Sequence, residues 1–152
     1  EEIVPADVLL DLRTSPASPT VVRPLPRRSA EEWLDLGCSG GGIVDGEFYS
    51  AKGCFLKALQ LQPDWADAWS DLGSAGGGTV DGNSHSAKDC YMIALKLQPD
   101  HATAWINLGT LGGGFVDGTS YSAKDCCMKA MELQPGHAMA WDSLGTHGGG
   151  TV

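Results

Sequence analysis

The sequence predicts an all-α solenoid of helix-turn-helix repeats, preceded by an extended proline-rich arm. A 36-residue repeat is the first observation behind this prediction, because tryptophan recurs at Trp33, Trp69, Trp105 and Trp141. Each tryptophan is followed by Leu-Gly and then by three consecutive glycines. The second observation is that each full repeat contains two stretches with helical spacing of apolar residues. Three full repeats cover 30–65, 66–101 and 102–137, and a partial repeat covers 138–152.

The arm, residues 1–29, differs in composition from the repeats. It contains five of the eight prolines and all four arginines of the chain. Proline removes a backbone donor and fixes φ, so most of this segment is expected to be extended. Val8 to Leu12 is its one densely apolar stretch, and the arm is predicted to lie against a partner. The candidate partner-binding residues of the arm are Val8, Leu9, Leu10, Arg23, Arg27 and Arg28.

Two helices, A and B, are expected in each repeat. Helix A is predicted to begin at the N-caps Asp64 and Asp100 and to end near the glycine triplet. A glycine-rich loop such as 76–86 is expected to follow. Helix B is predicted to begin after Ser86, with Asp89 completing a capping box. Leu-Gln-Pro ends helix B, because a residue that precedes proline avoids the helical region.

The order Trp, Leu-Gly, Ala, aromatic, Ala and Pro resembles the tetratricopeptide repeat (TPR) family, here as a 36-residue glycine-rich variant covering about 30–152. The resemblance implies helix pairs held close by small residues. It implies a structural core of Trp33, Trp69, Trp105, Trp141, Gly37, Gly73, Gly109, Ala51, Ala87, Ala123, Phe55, Tyr91, Ala58, Ala94 and Ala130.

The resemblance also implies a concave binding face, lined by helix A positions that differ from repeat to repeat. The candidate partner-binding residues on this face are Leu34, Cys38, Ser70, Ser74, Ile106 and Thr110. Sequence drift on a solvated face would produce the same variation, so the pattern leaves both interpretations open.

Composition and motifs argue against several other classes of protein. The 152 residues carry ten Lys and Arg against nineteen Asp and Glu, a net charge of −9, whereas a nucleic-acid surface needs the opposite sign. No apolar run is long enough to predict a transmembrane helix. The glycine triplets lack the Gly-Lys-Ser/Thr of a phosphate loop. One Asp-Gly turn per repeat (Asp45, Asp81, Asp117) supplies too few oxygens for calcium.

Cysteine spacing gives no metal motif, and the five cysteines are expected to be packed, reduced thiols. No cofactor, metal or catalytic residue is therefore predicted. Unpaired cysteines favour a reducing compartment over secretion.

The sequence predicts a non-enzymatic scaffold that binds other protein subunits. Its expected setting is a plastid or mitochondrion, where it is a small accessory subunit, peripheral on a larger membrane-associated complex. The absence of an initiator Met and the similarity of the Gly-Gly-Gly-x-Val-Asp-Gly variant to long TPR arrays of plastid-bearing protists point to this setting. The alternative is a structural repeat segment of a longer polymeric or extracellular array, because the sequence stops in mid-repeat.

Overall fold

The computed structural model describes residues 27–146, which form three successive helix–hairpin–helix units and one further helix. Helix A, a two-stranded hairpin and helix B follow one another in each unit. The elements are α1 (Ala30–Cys38), β1 (Gly41–Val44), β2 (Glu47–Ser50), α2 (Ala51–Leu61), α3 (Ala66–Ser74), β3 (Gly78–Val80), β4 (Asn83–His85), α4 (Ala87–Leu97), α5 (Ala102–Thr110), β5 (Gly113–Val116), β6 (Thr119–Ser122), α6 (Ala123–Leu133) and α7 (Ala138–Thr146).

The prediction of an all-α fold is wrong. The described residues are 57% helical and 18% strand, and the segments expected to be glycine-rich loops form three antiparallel two-stranded sheets. The turn explains the difference. Asp45 has φ 52° and Gly46 has φ 83°, the two positive values that a type I′ hairpin turn requires. Asp-Gly therefore folds the chain back directly, and the flanking residues pair.

The second glycine of each triplet is required by the hairpin geometry. Gly77 has φ +76°, and a Cβ at this position would collide with the carbonyl oxygen of His85 on the paired strand. Only glycine combines a positive φ with so close a backbone approach. The first glycine, Gly76, also has a positive φ of +91°, but the space around it is open.

The core of each unit is built on the repeated tryptophan. Trp33, Trp69 and Trp105 are 3–8% exposed. The Trp69 indole donates a hydrogen bond of 2.7 Å to the carbonyl oxygen of Pro63, which satisfies its polar group inside the core. Each ring also meets a hairpin side chain edge-on; for Trp33 this is Tyr49, with ring centroids 4.9 Å apart.

Helices A and B approach closely because small residues lie between them. A Cβ on Gly73 would lie 2.7 Å from the Tyr91 ring, and Gly37 meets Phe55 in the same way. In the third unit the corresponding neighbour of Gly109 is Cys127. The alanines expected in helix B are fully buried at Ala58, Ala94 and Ala130 and half-buried at Ala51, Ala87 and Ala123.

The helix caps confirm one prediction and correct another. The Ser86 hydroxyl oxygen accepts a hydrogen bond from the Asp89 N–H, and Oδ2 of Asp89 accepts one from the Ser86 N–H at 2.9 Å. The capping box at helix B is therefore confirmed. The predicted caps of helix A, Asp64 and Asp100, are wrong by one residue, because α3 and α5 begin later. His101 caps α5 instead, with Nδ1 accepting from the Ala104 N–H at 3.2 Å.

Successive repeats are joined by contact between each hairpin and the preceding helix B. A Cβ on Gly78 would lie 3.2 Å from Leu56 and 3.3 Å from Lys52, both on α2. Gly114 has the same relationship to Met92 and Lys88 on α4. This contact is what buries the inner side of the second and third hairpins. Within residues 27–146, no helix is long and apolar enough to cross a bilayer.

Candidate protein-interaction surface

The helix A positions that differ between repeats divide into a buried row and an exposed row. Leu34, Ser70 and Ile106 are 8%, 3% and 1% exposed, so their side chains are not open to a partner. Each helix A contacts its own helix B; α3 and α5 also contact the helix B that precedes them, and α3 contacts α5. The exposed row is Cys38, Ser74 and Thr110, whose role in partner binding stays a prediction.

Polar side chains connect helices A of neighbouring repeats next to this exposed row. The Cys38 thiol donates to Oδ2 of Asp71 at 3.5 Å. Burial raises the pKa of Asp71 above its ordinary value, although the Cys38 hydrogen bond opposes the shift. Farther along, His101 Nε2 lies 3.1 Å from Oδ1 of Asp67. Nε2 is buried and, in spite of this short distance, forms no hydrogen bond of suitable geometry among the described residues.

The outward face of the first and third hairpins exposes large apolar side chains, and the sequence prediction missed it. Ile43 and Phe48 lie directly opposite each other in the first hairpin and are 71% and 72% exposed. Phe115 occupies the same outward position in the third hairpin and is 68% exposed. The second hairpin carries Thr79 opposite Ser84 here. The sequence feature that could have revealed this face is the Asp-Gly pair of each unit, because such a pair is typical of a two-residue hairpin turn.

The predicted arm residues fall partly outside the described range. Val8, Leu9, Leu10 and Arg23 lie outside it. Arg27 and Arg28 lie at its start, where they line a cavity of about 580 Å³ between the first hairpin and α2. The structure therefore places these two arginines beside the first repeat, not on the exposed row of helix A.

All five cysteines are free. Cys54, Cys90, Cys126 and Cys127 have no exposed surface, whereas Cys38 is exposed. Burial raises the pKa of Cys90 to about 11 and that of Cys126 to about 12. Between residues 27 and 146, the His, Cys, Asp and Glu side chains form no group of three or more that could hold a metal ion.

These thiols give a direct test of the core. We expect an alkylating reagent at pH 8.5 to modify one cysteine of the native protein, Cys38, because it alone among the five thiols is exposed to the reagent. Partial burial and the Asp71 carboxylate raise the pKa of Cys38 too, so its modification should be slow but complete. All five should react after denaturation. Intact-mass spectrometry counts the modified thiols, and rapid native modification of Cys90 or Cys126 would contradict the packing described above.

A scan of the sequence against protein-family models gives no match, and a search of curated proteins finds no similar sequence.

Proposed function

We propose that this chain is a non-enzymatic scaffold that binds other proteins through the outward face of its hairpins. The observation that supports it is the exposure of Ile43, Phe48 and Phe115, each about seven-tenths exposed. Scattered apolar residues are ordinary on a protein surface. Here they occupy one register position of a repeated hairpin, and two of them form a cross-strand pair. Adjacent exposed apolar side chains, such as the pair Ile43 and Phe48, are typical of protein interaction sites.

The second unit shows that the hairpin does not need apolar residues on its outward face. Thr79 and Ser84 fill the outward positions there, so the hairpin folds without apolar residues on this face. The frame of the repeat is constant and buried, whereas the outward positions differ between units and are exposed. Repeat proteins present recognition residues in this way, on a surface that neighbouring repeats extend.

The experiment replaces each outward phenylalanine by the residue that another unit has at that position. Phe48→Ser combined with Phe115→Thr should leave the free energy of unfolding within about 0.5 kcal/mol of the original, because both sites are exposed. The double variant should capture at least about tenfold less partner protein from the native source than the original chain does, since each substitution removes an apolar anchor. Leu111→Ser, at another exposed apolar residue, is the matched control. Unchanged capture by the double variant would refute the hairpin face as the binding surface.

We also infer that the helix–hairpin–helix unit is a TPR-like repeat whose turn between helices A and B is expanded into a hairpin. The buried Trp, the Gly against an aromatic ring and the buried Ala of each unit support this relation. The accompanying hypothesis is an accessory subunit of a plastid or mitochondrial complex, which the free thiols favour. The native mass tests it: a subunit should be close to 15.9 kDa, and a longer array several-fold larger.

A further inference from the structure

The last described helix, α7, carries the residues by which the other helices A hold their helix B. Its Trp141 and Gly145 have the same spacing as Trp69 and Gly73 in α3. It packs against α6 as α5 packs against α4, and its Ala140 has no exposed surface. The contact of α7 with the preceding unit is therefore complete, and α7 occupies the position of a fourth helix A.

The place that a helix B would take beside α7 is open among the described residues. A Cβ on Gly73 would lie 2.7 Å from the Tyr91 ring of helix B, whereas a Cβ on Gly145 would meet no described atom within 4 Å. The Trp141 indole donates a hydrogen bond to the carbonyl oxygen of Pro135, as the tryptophans of α3 and α5 do to their own prolines. The ring is thus held in the position that the second and third units use.

The exposed side chains of α7 are not those of a helix that ends a repeat stack in water, because such a helix has a polar outer face. Met139 is 57% and Trp141 is 60% exposed, whereas Trp69 and Trp105 are 5% and 3% exposed beside their helices B. Removal of such apolar surface from water favours the binding of a further helix to α7.

The complete units define the chemistry of the helix that fits this place. In α4, Tyr91 packs on Gly73 and Ala94, three residues later, is fully buried. In α2, Phe55 and Ala58 have the same spacing and the same burial. Residues three apart lie on one face of a helix. The occupant is therefore an amphipathic helix with an aromatic residue and an alanine three positions after it.

A free aromatic ring for this place does not come from the 152 residues themselves. Every Phe, Tyr and Trp lies between Trp33 and Trp141. The two rings on helices B, Phe55 and Tyr91, are 6% and 5% exposed and already pack on the glycine of their own helix A. A second copy would have to open one of its own units to supply such a ring, so the occupant is a different protein.

We propose that α7 binds an amphipathic helix of another protein, which packs on it as a helix B and completes a fourth helix pair. The aromatic ring of this helix lies on Gly145, and the helix removes Trp141 from water. The surface is distinct from the outward face of the hairpins, and the proposal does not depend on the function proposed for that face.

Calorimetric titration of the full chain with a synthetic peptide of residues 85–98, the α4 helix with its cap, tests the proposal. The peptide should bind, and its Tyr91→Ala variant should bind about tenfold more weakly because it lacks the ring. The Lys96→Ala peptide is the matched control, since Lys96 is exposed in the second unit. Binding should also shift the emission of Trp141 to shorter wavelength, measured as the difference between the original chain and Trp141→Phe.

A substitution in α7 gives the second measurement. Gly145→Leu should weaken peptide binding at least about tenfold, because the leucine fills the place of the ring. It should not lower the free energy of unfolding, since the space is open and leucine is a better helix former than glycine. Gly136→Leu, at another glycine with open space around it, should bind the peptide as the original chain does.

A short peptide is only marginally helical in water, so the same segment is also joined after Val152 by a flexible linker, which raises its effective concentration. Absence of binding by both the free and the joined segment would overturn the proposal, as would equal binding by the Gly145→Leu chain. Trp141 emission that is already at short wavelength in the free monomer would overturn it too, because the chain would then cover its own α7. The same emission together with dimerisation in sedimentation would assign the place to a second copy.

Discussion

Replacement of Trp69 by Ala is expected to lower the free energy of unfolding by about 3–5 kcal/mol, the usual cost of removing a buried aromatic side chain. Trp69 is 5% exposed, contacts the His85 ring edge-on with centroids 5.0 Å apart, and donates a hydrogen bond to Pro63. The substitution leaves a cavity between helices A and B and an unpaired carbonyl beside it. Urea unfolding followed by circular dichroism measures the difference.

The chain contains a matched control for this substitution. Trp141 has the same position in its repeat and donates to the carbonyl oxygen of Pro135 at 3.2 Å, but it is 60% exposed. Trp141→Ala should therefore cost less than about 1 kcal/mol. Equal losses for the two variants would mean that the repeated tryptophan stabilises the fold by something other than burial.

Those features of the fold that depend on local sequence chemistry could be predicted from the sequence. The tryptophan period gave the register of the units, and the buried Trp, Gly and Ala positions follow from it. The start of helix B was predictable because Ser86 and Asp89 satisfy each other's backbone groups without any tertiary contact. The first unit has Gly53 in place of the acid, and Ser50 there caps alone, accepting from the Gly53 N–H at 3.1 Å.

The hairpins were not predicted because their strands carry little strand propensity. Gly78–Val80 is paired with Asn83–His85, and glycine and asparagine are depleted in strands. The turn imposes the pairing: Asp81 and Gly82 have φ 48° and 80°, which directs the two flanking segments against each other. The Asp-Gly pair was interpreted as an isolated turn, and its consequence for the neighbouring residues was missed.

The buried row of helix A shows a second limit of sequence reasoning. Leu34, Ser70 and Ile106 differ strongly in polarity, which suggested an exposed surface. In the structure they are buried between neighbouring units. Ser70 is polar and yet only 3% exposed, so polarity at such a position does not by itself indicate an exposed site. Variation between repeats therefore indicates a surface only where the fold leaves the residue open.

Replacement of Gly77 by Ala should destabilise the second unit far more than replacement of its neighbour Gly76. Both glycines have positive φ, which costs an L-residue about 1–2 kcal/mol. At Gly76 that strain is the whole cost, because no atom lies within 4 Å of the added Cβ. At Gly77 the Cβ would collide with the backbone of His85 and lie 2.7 Å from the carbonyl carbon of Ser86.

Relief of that collision requires the two strands to separate, which also withdraws His85 from the Trp69 ring. We therefore expect a loss of at least about 3 kcal/mol for Gly77→Ala, since strain and a backbone clash add to the lost packing. Hydrogen exchange should show the loss first in 78–85, with α3 and α4 following, and urea unfolding gives its size. If Gly76→Ala and Gly77→Ala lower the free energy of unfolding equally, the hairpin does not pack closely against the start of α4. Glycine would then be required at position 77 only for its positive φ.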